Sequence, residues 1–286
     1  MFAIGANPWI WTSPVTDDVL ADLVPRLAGW GFDAIEIPVE DLDDWSPEKT
    51  RDLLATHGIT AASVIPVTHA GRDLVNTDPD TVRRSQDFLR AAVDRAVVLG
   101  APNISGPSYA AVGRTWHMAP AERAACYAQL REGLAPVADH AGERGVQIGL
   151  EPMSRYETSV LNTVEQALEA VEGLPANVGL MIDSYHMNIE EADPYAAVTL
   201  AGTRLVHVQV SGSNRGAPGD DHIDWPRWLQ ALADTGWRGP ICIESFTAAN
   251  AGAPIWRPFA PTQDTLATNG LRYLREVSAT LTRRDR

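Results

Sequence analysis

Gly145-Val146-Gln147-Ile148-Gly149-Leu150-Glu151 is a glycine, a short apolar run and then an acid, directly after a helical pattern over roughly Pro120–Arg144. Helix, glycine, strand, acid is the unit from which the rest of the chain reads. Glycines mark three further junctions into strands, at Gly31-Phe32-Asp33, Gly58-Ile59-Thr60 and Gly236-Trp237-Arg238-Gly239. Glycine just past a helix accepts the left-handed backbone that closes it. Working outward, eight strands are expected: Phe2–Ala6, Ala34–Ile37, Ala61–Val67, Asn103–Gly106, Gln147–Glu151, Gly179–Asp183, Leu205–Val210 and Pro240–Glu244. They read as continuous apolar runs, the pattern of parallel strands covered on both faces. Between them the apolar period is helical; Phe88, Leu89, Ala92, Val93, Ala96 and Leu99 form one stripe within Asp80–Gly100. Eight such units in 286 residues predict an α/β fold of the TIM (β/α)8 barrel type, with residues 1–286 as a single domain. The glycine-rich dinucleotide fingerprint of an open doubly wound sheet is absent.

Composition excludes several function classes. Asp and Glu number 37 against 23 Lys and Arg, a net charge of −14, which argues against a phosphate-backbone or membrane-surface binder. No run approaches the roughly 18 apolar residues of a membrane helix. Met1-Phe2-Ala3-Ile4-Gly5 carries no basic leader, so a cytoplasmic protein is expected. Two cysteines, Cys126 and Cys242, both in apolar runs, are expected to be buried and inert.

In a barrel of this kind the chemistry sits at the carboxyl ends of the strands. Strand five ends in Glu151, strand six in Asp183 and strand eight in Glu244, and strand seven carries His207 and Gln209. A carboxylate straight after an apolar run is costly to bury unless paired or metal-bound. Three converging carboxylates repel, and a divalent cation removes the conflict. An oxygen-rich set favours Mg or Mn. The alternative for any one acid is a helix cap or an arginine partner. Glu151 and Glu244, on strands five and eight, are placed to flank a substrate and move a proton from one face of a carbon to the other.

Several motifs resemble those of the D-tagatose/D-allulose 3-epimerases, in the xylose-isomerase-like sugar isomerase/epimerase superfamily. They are Glu151-Pro152-Met153-Ser154-Arg155-Tyr156-Glu157-Thr158 with Leu161-Asn162-Thr163, Asp183-Ser184-Tyr185-His186-Met187-Asn188-Ile189-Glu190-Glu191, Ser213-Asn214-Arg215-Gly216 with His222-Ile223-Asp224-Trp225, and Glu244-Ser245-Phe246. The resemblance implies a TIM barrel and one divalent metal, Mn or Mg with Co also used, held by Glu151, Asp183 and Glu244 among others. It implies that Glu151 and Glu244 are also the acid/base pair. His186 and Arg215 match residues at the sugar's O2 and O3, Glu157 matches one at the O1/O2 end, and Trp11 matches an aromatic lining the pocket. One position departs. Six residues before Arg215, where the family has a metal-ligand histidine, stands Gln209. His207 lies on the same face but about 6.5 Å deeper along the strand. Gln209 is therefore the expected fourth ligand, as in the hydroxypyruvate isomerases that this chain resembles there, and His207 a hydrogen-bonded core residue.

The expected function is a metal-dependent isomerase or epimerase of a free keto-sugar, acting through an enediolate. Partners are a small-molecule sugar and, as in relatives, further copies of the chain. The same base and metal also suit a hydroxypyruvate isomerase-like enzyme. They equally suit a lyase resembling the catalytic subunit of bacterial C-glycoside deglycosylases, which works with a small second subunit. An abasic-site endonuclease, with its histidine-rich three-metal centre, and a non-catalytic barrel fit less well. His69 and His117 follow strands three and four, and Ile255-Trp256-Arg257-Pro258-Phe259 follows strand eight as a candidate lid. His57 and His140 are expected on the surface of helices.

Overall fold

The computed structural model describes residues 1–249 and 255–281. Eight parallel strands close into a barrel in chain order: β1 Ile4–Ala6, β2 Ala34–Val39, β3 Thr60–Pro66, β4 Asn103–Gly106, β5 Gln147–Leu150, β6 Val178–Asp183, β7 Leu205–Val210 and β8 Ile241–Ile243. Around them run α1 Asp17–Trp30, α2 Pro47–His57, α3 Pro79–Leu99, α4 Pro120–Glu143, α5 Val164–Ala170, α6 Ser184–Glu190, α7 Pro194–Ala201, α8 Trp225–Asp234 and α9 Gln263–Thr280. No helix among the described residues is long and apolar enough to cross a membrane.

Local chemistry sets the boundaries. Asp78 caps α3 by accepting from the Asp80 and Thr81 amides, both at 3.2 Å, and Pro79 starts the helix where its missing N–H has no partner to lose. The six residues of the expected α3 stripe are all buried. Helix α1 ends at Trp30, and Gly31 takes φ 93°, a conformation that costs any side chain with a Cβ.

Strands β5 and β8 stop one residue earlier than the sequence suggests, yet the acids keep their aim. Glu151 N–H donates to Gly106 O and Glu244 N–H to Val210 O, each at 3.1 Å. One further ladder bond thus carries each glutamate past its strand into the mouth. Between β6 and β7 the chain makes two helices, and α6 starts at once because Asp183 accepts the Tyr185 amide at 2.9 Å. Asp183 is the register partner of Gln209, and Gln209 in turn of Cys242. Gly5 lets this tier close, since a Cβ there would sit 2.5 Å from the Cys242 sulfur.

Candidate active site

Four segments converge at the mouth. Arg215, from the loop after β7, donates from Nη1 to Asp183 Oδ2 and to Glu244 Oε2, the latter at 2.8 Å. Its guanidinium is buried against Tyr185 and Phe246, 4.1 and 5.1 Å from the ring centres. The backbone that delivers it is unusual. Arg215 has φ 67°, alone among the described non-glycine residues in being positive. A tight turn holds it there: Arg215 N–H donates to Gly212 O at 2.9 Å, and Ser245 Oγ donates to Arg215 O at 2.5 Å. A side chain other than glycine in this region carries strain of about 1 kcal/mol or more, which the surrounding contacts must offset.

His186 lies one turn into α6, between the arginine and the remaining glutamate. Its Nε2 is 3.7 Å from Glu151 Oε1, 3.9 Å from Asp183 Oδ2 and 3.1 Å from Arg215 Nη2. Ser154 N–H donates to Nδ1 at 3.0 Å, so a neutral ring carries its proton on Nε2. Burial and the neighbouring arginine push the imidazole below its usual range and keep it neutral. Nε2–H and Arg215 Nη2 then meet as two donors 3.1 Å apart, a position suited to a substrate oxygen. Glu157 completes the rim; its Oε1 accepts from Ser154 Oγ at 3.0 Å and lies 3.8 Å from His186 Nδ1.

The two glutamates are electrostatically uncomfortable. Burial, opposed by Arg215 and reinforced by Asp183, pushes Glu244 up to about 8. Burial, then Glu244 and Asp183, also pushes Glu151 well above the carboxylate range. Taking charge out of water while crowding it with like charge favours retention of a proton. Glu151 is anchored through its backbone, where buried Tyr109 donates to its carbonyl at 2.7 Å. Asp183 meets both alternatives set for a strand-end acid, capping a helix and pairing with arginine. Glu151 meets neither: the basic side chain recorded beside its carboxylate is the neutral His186, at 3.7 Å.

A second tier lies directly below. Glu36, fully buried in mid-β2, accepts from His207 Nε2, from Gln209 Nε2 at 2.7 Å and from Asn7 Nδ2 at 2.9 Å. Asn7 Nδ2 also reaches Glu244 Oε1 at 3.4 Å, linking the tiers. Gln209 Oε1 and His207 Nδ1 are buried without a partner. Cys242 is buried, and its thiol is pushed well above its ordinary range by burial and by Glu36. His207 is thus hydrogen-bonded in the core, as read from the sequence.

Two groups could attract a cation. Glu151, Asp183 and His186 offer one ligand atom each within 4.8 Å of one another, as do Glu36, His207 and Cys242. Glu244 adjoins the first group through Arg215, and Gln209 presents its unpaired oxygen from the strand beside Asp183.

The structure therefore brings Glu151, Asp183, His186, Arg215 and Glu244 into one pocket, with Glu157 at its edge and Gln209 on the tier beneath. Trp11 makes its contacts elsewhere. Its indole N–H donates to Asp264 of α9 at 2.7 Å, and its ring stacks on Trp30 of α1. Trp9, two residues earlier, is tilted against Phe246, itself beside Arg215. His69 and His117 are exposed, Trp256 in the candidate lid is 95 % exposed, and residues 250–254 before it lie outside the described set. His140 is partly covered and pairs with Asp94 at 2.9 Å, and His57 is partly covered too. Asn7, Tyr109 and Glu36 were not singled out from the sequence; an acid inside the apolar run Ala34–Val39 was the available signal for the last.

Residues 24–277 match the family described as xylose isomerase-like TIM barrel. The chain is 31 % identical to a ketose 3-epimerase of Arthrobacter globiformis, over 96 % of each protein. It is 31 % identical to an L-ribulose 3-epimerase of Methylomonas sp., covering 95 % of this chain and 96 % of that protein. A crystal structure of D-allulose 3-epimerase from Methylomonas sp. in complex with D-allulose superposes with a TM-score of 0.87 at 29 % identity, covering 96 % of each chain.

Proposed function

The chain belongs to the xylose isomerase-like TIM barrel family, and from that membership we propose that it is a 3-epimerase of free ketoses that depends on a divalent metal. The observation that carries the reading is the convergence of Glu151 and Glu244, from the ends of β5 and β8, on a pocket whose neutral His186 and Arg215 present donors. Relatives of near-equal length named as ketose 3-epimerases support it. The lyase and hydroxypyruvate isomerase readings have no comparable support.

The donor set fits a hard cation. Glu151, Asp183 and Glu244 bring carboxylate oxygens, and Gln209 brings a buried amide oxygen with no other partner. These four residues would hold Mn or Mg; a bound ion polarises the substrate's carbonyl and so acidifies the adjacent C–H. The remaining work belongs to side chains. One glutamate removes the C3 proton, the electron pair passes into the C2 carbonyl to give an enediolate, and the other glutamate returns a proton to the opposite face. Burial raises the proton affinity of both glutamates, which suits uptake of a proton by one and its return by the other. His186 and Arg215 hold the O2 and O3 oxygens, and Glu157 holds the O1/O2 end. Trp9 and Phe246 wall the sugar. Arg155, the one arginine on the loop after β5, is paired with Glu190 at 2.9 Å, which favours an unphosphorylated substrate.

The test is wash-in of solvent deuterium into a panel of free ketohexoses and ketopentoses with Mn(II) added. Deuterium at C3 together with the C3 epimer, both lost in Glu244→Gln, is the expected result. Exchange confined to keto-glycosides, with release of the aglycone, would replace this reading with the lyase.

A further inference from the structure

The buried network below the mouth has an asymmetry that bears on Gln209. A glutamine amide has a donor end and an acceptor end, and only the acceptor can hold a cation. Nothing in the strand dictates which end faces which way. Glu36 does dictate it. Its Oε1 is taken by His207, and its Oε2 receives both Asn7 Nδ2 at 2.9 Å and Gln209 Nε2 at 2.7 Å. Turning the amide over would set its oxygen against a fully buried carboxylate, acceptor against acceptor, and would point two N–H donors where Oε1 now stands unpaired. Asn7 cannot rotate to compensate, because its own oxygen accepts the Trp9 amide at 2.9 Å.

We infer that Glu36 is a positioning residue of the metal site: its carboxylate fixes the amide of Gln209 so that the carbonyl oxygen, and not the NH2, is offered to the cation. The inference rests on the assignment of Gln209 as a ligand and is independent of which sugar is turned over. It also explains why an acid sits in the middle of an apolar strand, 173 residues from the amide it holds. A histidine ligand orients itself through its second ring nitrogen. A glutamine has no such device and needs an acceptor-only neighbour.

The experiment is a titration of the whole protein with Mn(II), read by the electron paramagnetic resonance of the free ion. Outer partners of metal ligands typically contribute about 10- to 100-fold to affinity, so Glu36→Gln is expected to weaken Mn(II) binding by that factor. The exchange variant Glu36→Gln/Gln209→Glu is the decisive companion. A glutamate at 209 has two equivalent oxygens; one accepts from the amide at 36 and the other still faces the cation. Recovery of most of the lost affinity supports positioning, since a merely structural role predicts a double variant no better than the single one. Three results overturn the inference. One is wild-type affinity in Glu36→Gln. Another is a thiolate-to-cobalt charge-transfer band on Co(II) loading that disappears in Cys242→Ser, because Glu36 would then be a ligand alongside His207 and Cys242. The third is a wild-type protein that binds no Mn(II), which also removes Gln209 as a ligand. If Mn(II) binds as expected while no ketose exchanges deuterium, the epimerase reading falls and the role of Glu36 stands.

Discussion

The two tiers of the barrel interior are built from the same residue types and differ in how completely their carboxylates are paired. In the lower tier one carboxylate, Glu36, meets three donors, and none of it is exposed. In the upper tier one guanidinium serves two of three carboxylates, and both glutamates are pushed upward by burial and by Asp183, Glu151 by Glu244 as well. Buried charge that is fully hydrogen-bonded holds geometry. Buried charge that is short of partners stores free energy that a cation or a substrate can release. The lower tier is thus a rigid floor, and the upper tier a set of groups awaiting partners.

Glu244→Gln is the substitution expected to separate the tiers most widely. It removes an acid/base group, so kcat for ketose epimerisation should fall by about 10²–10⁴. It also removes a buried, crowded charge, so chemical denaturation of the metal-free protein should show stability unchanged or raised. A parallel fall in stability would mean that Glu244 belongs with the floor. Glu36→Ala should do the reverse. It leaves donors on Asn7, His207 and Gln209 unpaired, each at roughly 1–3 kcal/mol, so denaturation should show a loss of about 3 kcal/mol or more.

The same contrast explains what the sequence discloses. Glu151, Asp183 and Glu244 are legible because each is the first acid after an apolar run, where strand ends of a parallel barrel must lie. His186 and Arg215 are legible only through motif resemblance, since one sits in a helix and the other in a loop. Glu36 is hidden because its partners lie on two other segments, 29 to 173 residues away, and no local pattern joins them. Of the two tryptophans after β1 the resemblance points to Trp11 and says nothing of Trp9. The short 3-10 turn Pro8–Ile10 sends Trp9 toward Phe246 and Trp11 outward to α1 and α9, a rotation that spacing alone does not reveal.

Proton linkage offers a third way to separate the tiers. Glu244 titrates near 8 when folded and near 4.5 when unfolded, and Glu151 is raised as well. The folded state therefore binds more protons between these values, and stability must fall as pH rises through them. His186, held below its ordinary 6.5, acts in the opposite sense, but only as pH falls below that value. Between about pH 6.5 and 8 the slope runs in the direction that the glutamates set. Metal-free protein should lose stability across this window. Mn(II) at 100 times its Kd should add about 2.7 kcal/mol and flatten the slope, because the cation takes the place of the protons that the glutamates retain. A flat profile without metal would mean that Arg215 already satisfies the upper tier.

The smallest expected effect concerns Trp11, which the motif puts in the pocket and the structure ties to the outer helices. Trp11→Phe keeps an aromatic ring against Trp30 and removes the hydrogen bond to Asp264. Asp264 also pairs with Arg26, at 2.5 Å, so it is not left bare. The loss should therefore be about 1 kcal/mol, a fall of roughly 2 °C in Tm, with KM for the ketose unchanged. Trp9→Phe is the matching probe on the other side. It keeps a ring against Phe246 but loses the 3.2 Å bond from its indole to Glu40. Its effect should appear in KM, since that ring borders the residue packed on Arg215. If KM moves with Trp11 and not with Trp9, the pocket wall runs along α1 and α9, and the aromatic boundary of the upper tier lies one turn from where Phe246 marks it.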